Sequence, residues 1–140
     1  MPTVKGNCLC GEIAYRFTKK LRETCLCHCT DCKNGPVATT PERSRAAEIL
    51  QDNKRNECQK SSRWQEHLRR NIRPHYFCGE CGSSIYSEPE MLEGSLTVIK
   101  AGTIHGGRAA SYAVQKELYV RDRVGYLEAV EGAVQDQTMT

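Results

Sequence analysis

Four cysteines and a histidine fall within the eight residues Cys25-Leu26-Cys27-His28-Cys29-Thr30-Asp31-Cys32, and no other feature limits what this chain can fold into so strongly. In an extended segment alternate side chains share a face. Cys25, Cys27 and Cys29 would therefore point one way, and a turn at Thr30-Asp31 would bring Cys32 towards them. Three or four thiolates then meet at one point. Soft thiolate donors select Zn2+, an iron–sulfur centre or Cu(I), and Zn2+ is the usual tetrahedral occupant in a small protein. Three ligands leave a fourth position open, whereas four close the site, so Cys25 decides whether chemistry can happen here.

A second set of thiols is spread along the chain. Gly6-Asn7-Cys8-Leu9-Cys10-Gly11 is a turn carrying a CxC pair, and Phe77-Cys78-Gly79-Glu80-Cys81-Gly82 is a zinc-knuckle-like CxxC turn following a strand end. Cys8 and Cys10 alone could be two buried loop thiols. The downstream pair completes a four-cysteine set, Cys8, Cys10, Cys78 and Cys81, that clips together residues about seventy positions apart. Four thiolates leave no free coordination position, so this zinc would be structural and its binding energy would be folding energy. His28, between two ligands on a strand, points the opposite way and reads as a hydrogen-bonding or packing residue. His67, His75 and His105 have no partner at ligand spacing, and Cys58 reads as an incidental thiol.

Nine cysteines is an odd count, which argues against a complete disulfide framework. Residues Met1 to Gly6 carry no signal-peptide pattern, and no apolar run reaches membrane-spanning length. The expectation is a reducing compartment, by default the cytoplasm, where closely spaced cysteines bind metal. A formal charge of +3 is too small to imply a nucleic-acid partner, and no membrane is expected. The length of 140 residues predicts a single domain over 1–140. Alternation predicts strands over Glu12–Phe17, Ser84–Ser87, Ser95–Lys100 and Glu117–Val120, with a second strand ending at Arg22-Glu23-Thr24 antiparallel to the first. Val124–Leu127 reads as an apolar stretch docking on the core, and 131–140 as a frayed polar tail. Many short strands and a single helical candidate predict a mainly β fold.

GNCLCGEIAY at Gly6 to Tyr15, CHCTDC at Cys27 to Cys32, FCGECGSSIY at Phe77 to Tyr86 and VIKAGT at Val98 to Thr103 together resemble the glutathione-dependent formaldehyde-activating (Gfa) enzyme family, whose domain is shared with centromere protein V. The resemblance implies an Mss4-like fold of packed antiparallel sheets with two zinc sites. One would be structural, at Cys8, Cys10, Cys78 and Cys81. The other would be catalytic and open, at Cys27, Cys29 and Cys32. It further implies a carbon–sulfur lyase-type activity in which glutathione, or a related thiol adduct, occupies the fourth position. The competing reading is a non-catalytic zinc module or inactive relative whose basic segment contacts an acidic partner.

That basic segment, Asn34 to Arg73, departs from the family. Apolar strands are expected there, yet Arg43, Arg45, Lys54, Arg55, Lys60, Arg63, Arg69, Arg70 and Arg73 accompany few large apolar residues. A solvated loop with a short helix near Ala46 to Gln51, a nucleic-acid-binding insertion and a reading-frame slip are the three readings. The slip accounts best for a segment of ordinary family length and foreign composition, and 34–73 as written is expected to be irregular or disordered. A shifted frame of the gene should encode alternating apolar residues. Sequencing that locus checks this, and a shifted frame rich in stops or equally polar refutes it.

Overall fold

Short strands joined by turns dominate the computed structural model, which describes residues 3–18, 23–34, 41–45, 50–51, 59–61, 75–88, 96–105 and 112–138. In chain order these hold β1 (Val4–Asn7), β2 (Ala14–Phe17), β3 (Glu23–Cys27), the short helix α1 (Thr30–Asn34), β4 (Pro41–Arg45), β5 (Leu50–Gln51), β6 (Gln59–Ser61), β7 (His75–Phe77), β8 (Ser84–Ser87), β9 (Leu96–Lys100), β10 (Lys116–Leu118) and β11 (Val134–Gln135). The fold is mainly β. One sheet has the order β1-β2-β5 and the other β11-β10-β3-β4-β9-β8-β7-β6. Pairing is antiparallel except where β10 runs parallel to both β3 and β11. No helix among the described residues is long and apolar enough to cross a membrane.

Alternation sets the core. On β2, Tyr15 and Phe17 are buried and Arg16 is exposed, and the two rings stack with centroids 6.4 Å apart. Val4, Ile13, Ile85, Tyr86, Ile99 and Ile104 pack with them, and Cys8 and Cys78 belong to the same cluster. Tyr76 stacks on Tyr86 across β7 and β8 at 4.2 Å. Metal-type thiols thus sit at the edge of the apolar core rather than apart from it.

The expected pairing of β2 with the strand ending near Thr24 does not form. β2 pairs with β1 instead, and β3 lies in the other sheet between β10 and β4. Gly6, read as part of a turn, is a strand residue opposite Tyr15. A Cβ there would collide with the end of the Tyr15 ring and with the Thr103 carbonyl. The space it leaves lets the Tyr15 hydroxyl meet Thr103 Oγ1 at 2.6 Å, and the Thr103 hydroxyl donates to the Lys100 carbonyl at 2.7 Å. The VIKAGT stretch is thereby tied to the first sheet, with Ile104 bridging Gly6 and the His105 amide donating to the Lys5 carbonyl.

Within 34–73, expected to be irregular, the described residues 41–45, 50–51 and 59–61 are strands. β4 is central, paired with β3 on one side and β9 on the other. Backbone pairing on both edges makes it a strand despite the sequence Pro-Glu-Arg-Ser-Arg, and Pro41 takes the first position, where a missing amide is tolerated. Leu50–Gln51 is a strand on β2, not the end of a helix. Cys58, Trp64, His67 and most of the basic run lie outside the described residues.

The tail also differs from the expectation. Instead of fraying from Glu131, it returns as β11 beside β10. Tyr126 and Leu127 do not dock on the core but are exposed. What holds the tail is Glu117, fully buried on β10, which accepts from Gln135 Nε2 at 2.6 Å, the Val130 amide at 2.7 Å and His28 Nε2 at 2.8 Å, with the Arg123 guanidinium at 3.3 Å. Burial alone would raise this carboxyl's pKa. The hydrogen bonds from Gln135, His28 and Val130, with the charge of Arg123, outweigh it and hold the group at about 2.

Two predictions follow from these contacts. Gly6→Ala should lower stability by about 1–3 kcal/mol, because overpacking meets a ring and a backbone carbonyl, neither of which can withdraw. Gly102→Ala, where nothing lies within 4 Å, should be near neutral, and paired thermal melts compare them. Glu117 has a folded pKa of about 2 against an ordinary 4.5, so its contribution is complete above about 4.5 and disappears as pH falls towards 2. Urea unfolding should find Glu117→Gln less stable by about 3 kcal/mol at neutral pH, with the gap to wild type closing between pH 4.5 and 2.

Candidate functional site

Two cysteine turns face each other to build the first cluster. The Cys8 carbonyl accepts from the Gly11 amide at 3.1 Å and the Cys8 amide donates to the Ile13 carbonyl at 2.9 Å, closing a tight loop in which Gly11 has φ of 82°. The second turn is built the same way. The Gly82 amide donates to the Cys78 carbonyl and the Cys78 amide to the Ser83 carbonyl, both at 2.9 Å, with Gly82 at φ of 72°. Only glycine takes that left-handed conformation without strain. Ser83 locks the turns together, because its hydroxyl accepts from the Leu9 amide at 3.0 Å and lies 3.1 Å from Cys81 Sγ.

The sulfurs of Cys8, Cys10, Cys78 and Cys81 all lie within 4.8 Å of one another. Cys8 and Cys10 are 3.4 Å apart, and Cys10 and Cys78 are 3.7 Å apart. Thiolates held tetrahedrally at Zn–S distances of about 2.3 Å stand roughly 3.8 Å from each other, so the set has the size a zinc ion needs. The acid–base chemistry agrees with it. The Ser83 hydroxyl, the Ser83 amide and a backbone contact at Cys10 lower the Cys81 thiol to about 5. Cys10 is held at about 12. A backbone hydrogen bond near Glu12 favours its thiolate most, but burial and the thiols of Cys8, Cys81 and Cys78 together outweigh that. Four neighbouring sulfurs cannot all ionise unless a cation joins them.

The second cluster forms where β3 ends. Cys27 is its last residue, Cys29 lies just beyond, and the expected turn at Thr30-Asp31 is the start of α1. Cys29 caps that helix: its carbonyl accepts from the Lys33 amide at 2.9 Å, and its sulfur accepts from the Cys32 amide at 3.4 Å. The cap brings Cys32 back over Cys29, and the sulfurs of Cys27, Cys29 and Cys32 lie within 4.8 Å of one another. Cys25 lies outside this group, although it shares a strand face with Cys27, and it is completely buried. The set is three sulfurs. Hydrogen bonds among the Cys27, Cys29 and Cys32 thiols and burial raise the Cys27 pKa. At Cys32 the Cys27 contact, the largest influence, favours the thiolate, yet the Cys29 thiol and burial prevail and the pKa is raised, with the Lys100 charge acting against that rise.

His28 turns away from the sulfurs, as its place between two of them implies. Its ring bonds Glu117 and its amide donates to the Leu118 carbonyl at 2.9 Å, so the cysteine strand is stapled to β10 on the side away from the cluster. Three residues escaped the sequence reading. Ser83 adjoins a CxxC turn, and a hydroxyl after a knuckle is a usable signal. Glu117 looked like the polar half of an alternating strand, and Lys100 like a strand end; nothing local marks either as buried.

Residues 3–122 match the model of the family described as glutathione-dependent formaldehyde-activating enzyme. No curated protein matches the chain.

Replacing Cys8 or Cys78 by serine should remove one equivalent of metal and abolish cooperative unfolding, because those thiols belong to the core. Cys32→Ser should remove the other equivalent and leave most of the melt intact. Metal content by emission spectroscopy, read beside circular dichroism, separates the two.

Proposed function

The chain belongs to the glutathione-dependent formaldehyde-activating enzyme family, and on that premise we propose that it is a zinc-dependent carbon–sulfur lyase-type enzyme acting on glutathione or a related thiol adduct. The observation that carries this reading is the convergence of Cys27, Cys29 and Cys32 without Cys25. Three thiolates around Zn2+ leave a position for an external sulfur, whereas the set of Cys8, Cys10, Cys78 and Cys81 leaves none and is assigned a structural role.

Cys27, Cys29 and Cys32 would hold the metal, which would supply a lowered pKa to an incoming thiol so that it is available as a thiolate at neutral pH. Cys27, Cys29 and Cys32 bind and orient. Their positions are set by the end of β3, by the cap of α1 and by the His28–Glu117 pair behind them. In the reaction the glutathione sulfur adds to an aldehyde carbon. A carbon–sulfur bond forms and the thiol proton ends on the former carbonyl oxygen, giving S-hydroxymethylglutathione when the aldehyde is formaldehyde. The reverse direction breaks that bond. Three anionic ligands quench Lewis acidity, so holding the sulfur near the electrophile contributes more than polarising the carbonyl.

Cobalt-substituted protein offers a direct test through its thiolate charge-transfer bands. Glutathione should add saturable intensity in the wild type and none in Cys32→Ser, and S-hydroxymethylglutathione should accumulate with formaldehyde only in the wild type. A cobalt spectrum blind to glutathione refutes the proposal. Steeply salt-dependent binding to polyanions in its place would favour a binding module.

A further inference from the structure

Lys100 is buried, with 6% of its surface exposed, and it is the only buried lysine or arginine among the described residues. Glu117, buried still more completely, has four donors around it. No carboxylate of the described residues stands within ion-pair distance of the Lys100 ammonium. Taking an ammonium out of water costs several kcal/mol unless an anion compensates.

Strand register shows which groups share the sheet face of Lys100. Glu23 is opposite Arg43, and Arg43 is opposite Val98. Residues directly opposite share a sheet face, and so do residues two apart. Cys25 and Cys27 on β3 therefore share a face with Lys100 on β9. The lysine's backbone is fixed, because the Lys100 carbonyl accepts from the Thr103 hydroxyl that Tyr15 holds.

The two clusters differ in a way that gives this cation a purpose. In the four-cysteine set Cys8 and Cys78 are buried but Cys10 is exposed, so water reaches one of its sulfurs, whereas no cysteine of the other set is exposed: Cys29 is buried and Cys27 and Cys32 are half-buried. Three thiolates with one divalent ion carry a net charge of −1, and an anionic fourth ligand makes it −2. Building on the proposed open site, we infer that Lys100 is the counter-charge of the Cys27, Cys29 and Cys32 centre and selects an anionic fourth ligand, a thiolate above all, over a neutral donor. It is a specificity-determining residue that neither coordinates nor transfers a proton.

The test compares ligands of different charge on full-length cobalt-substituted protein, read by the visible spectrum. Glutathione and azide are the anionic probes and imidazole the neutral one. Lys100→Met should weaken both anions by about ten- to a hundredfold, the range expected for removing one close opposite charge, and leave imidazole within about threefold. Lys100→Arg should recover most of the loss. Unchanged anion binding in Lys100→Met overturns the inference, as does an equal loss for all three ligands, which would mark a packing role. Should Lys100→Met fail to fold, the wild type still decides, since imidazole binding more tightly than azide contradicts an anion-selective site. A wild type that ignores glutathione but binds azide in a Lys100-dependent way would refute the glutathione reading and uphold the lysine's role.

Discussion

The structure depends on the closure of two cysteine turns on each other. Cys8 and Cys78 lie in the apolar core, Cys81 is half-buried against it and Cys10 is exposed, so the cluster joins the start of the chain to its second half across the rim of that core. Few large apolar side chains support it, since aromatic residues are only 6% of the sequence, and a metal held by these four cysteines would couple its binding to folding and supply what a core of this size lacks. Among the described residues the other links from β1 and β2 to the larger sheet are the shared apolar core, the Tyr15–Thr103 contact, the Gly6–Ile104 bridge and the bond from the His105 amide to the Lys5 carbonyl. Each turn needs a glycine at positive φ, and Ser83 crosses between them, so the clasp is specified by backbone conformation as much as by sulfur.

The three-cysteine cluster is organised by the opposite principle. It sits at the end of a central strand and is held from both flanks by buried charge, Glu117 behind His28 on one side and Lys100 on the other. The carboxylate is saturated with donors and holds the C-terminal segment in place. The lysine has no carboxylate partner among the described residues, and it shares a sheet face with Cys25 and Cys27. A metal centre that exchanged one ligand would benefit from rigidity in the groups that do not change.

VIKAGT links the two sites. Its lysine shares a sheet face with Cys25 and Cys27, its threonine contacts Tyr15, and the following Ile104 bridges Gly6, two residues before Cys8. The motif was recognisable as a family word, but its physical meaning depends on Gly6 lacking a side chain, which becomes visible only when β1 lies beside β2. Strand pairing was the least legible part of the chain. Alternation identifies a strand and its buried face but carries no information about its neighbour, so β2 was matched to the wrong partner and the parallel β10 went unforeseen. The polar stretch 41–45 fails even the first step. Nothing in Pro-Glu-Arg-Ser-Arg announces a central strand, and its neighbours on both edges impose it.

The sequence by itself determined the two thiol sets, because ligand spacing is a local property written in CxC and CxxC turns with their glycines. It determined the family for the same reason. Tertiary structure alone decided that Cys25 stands aside from Cys27, Cys29 and Cys32, since a strand face offers all alternate residues equally and only the capped turn into α1 selects which sulfurs meet. It also decided that Glu117 and Lys100 are buried, because burial of a charge depends on what distant strands place over it, and those strands come from parts of the chain far from either residue.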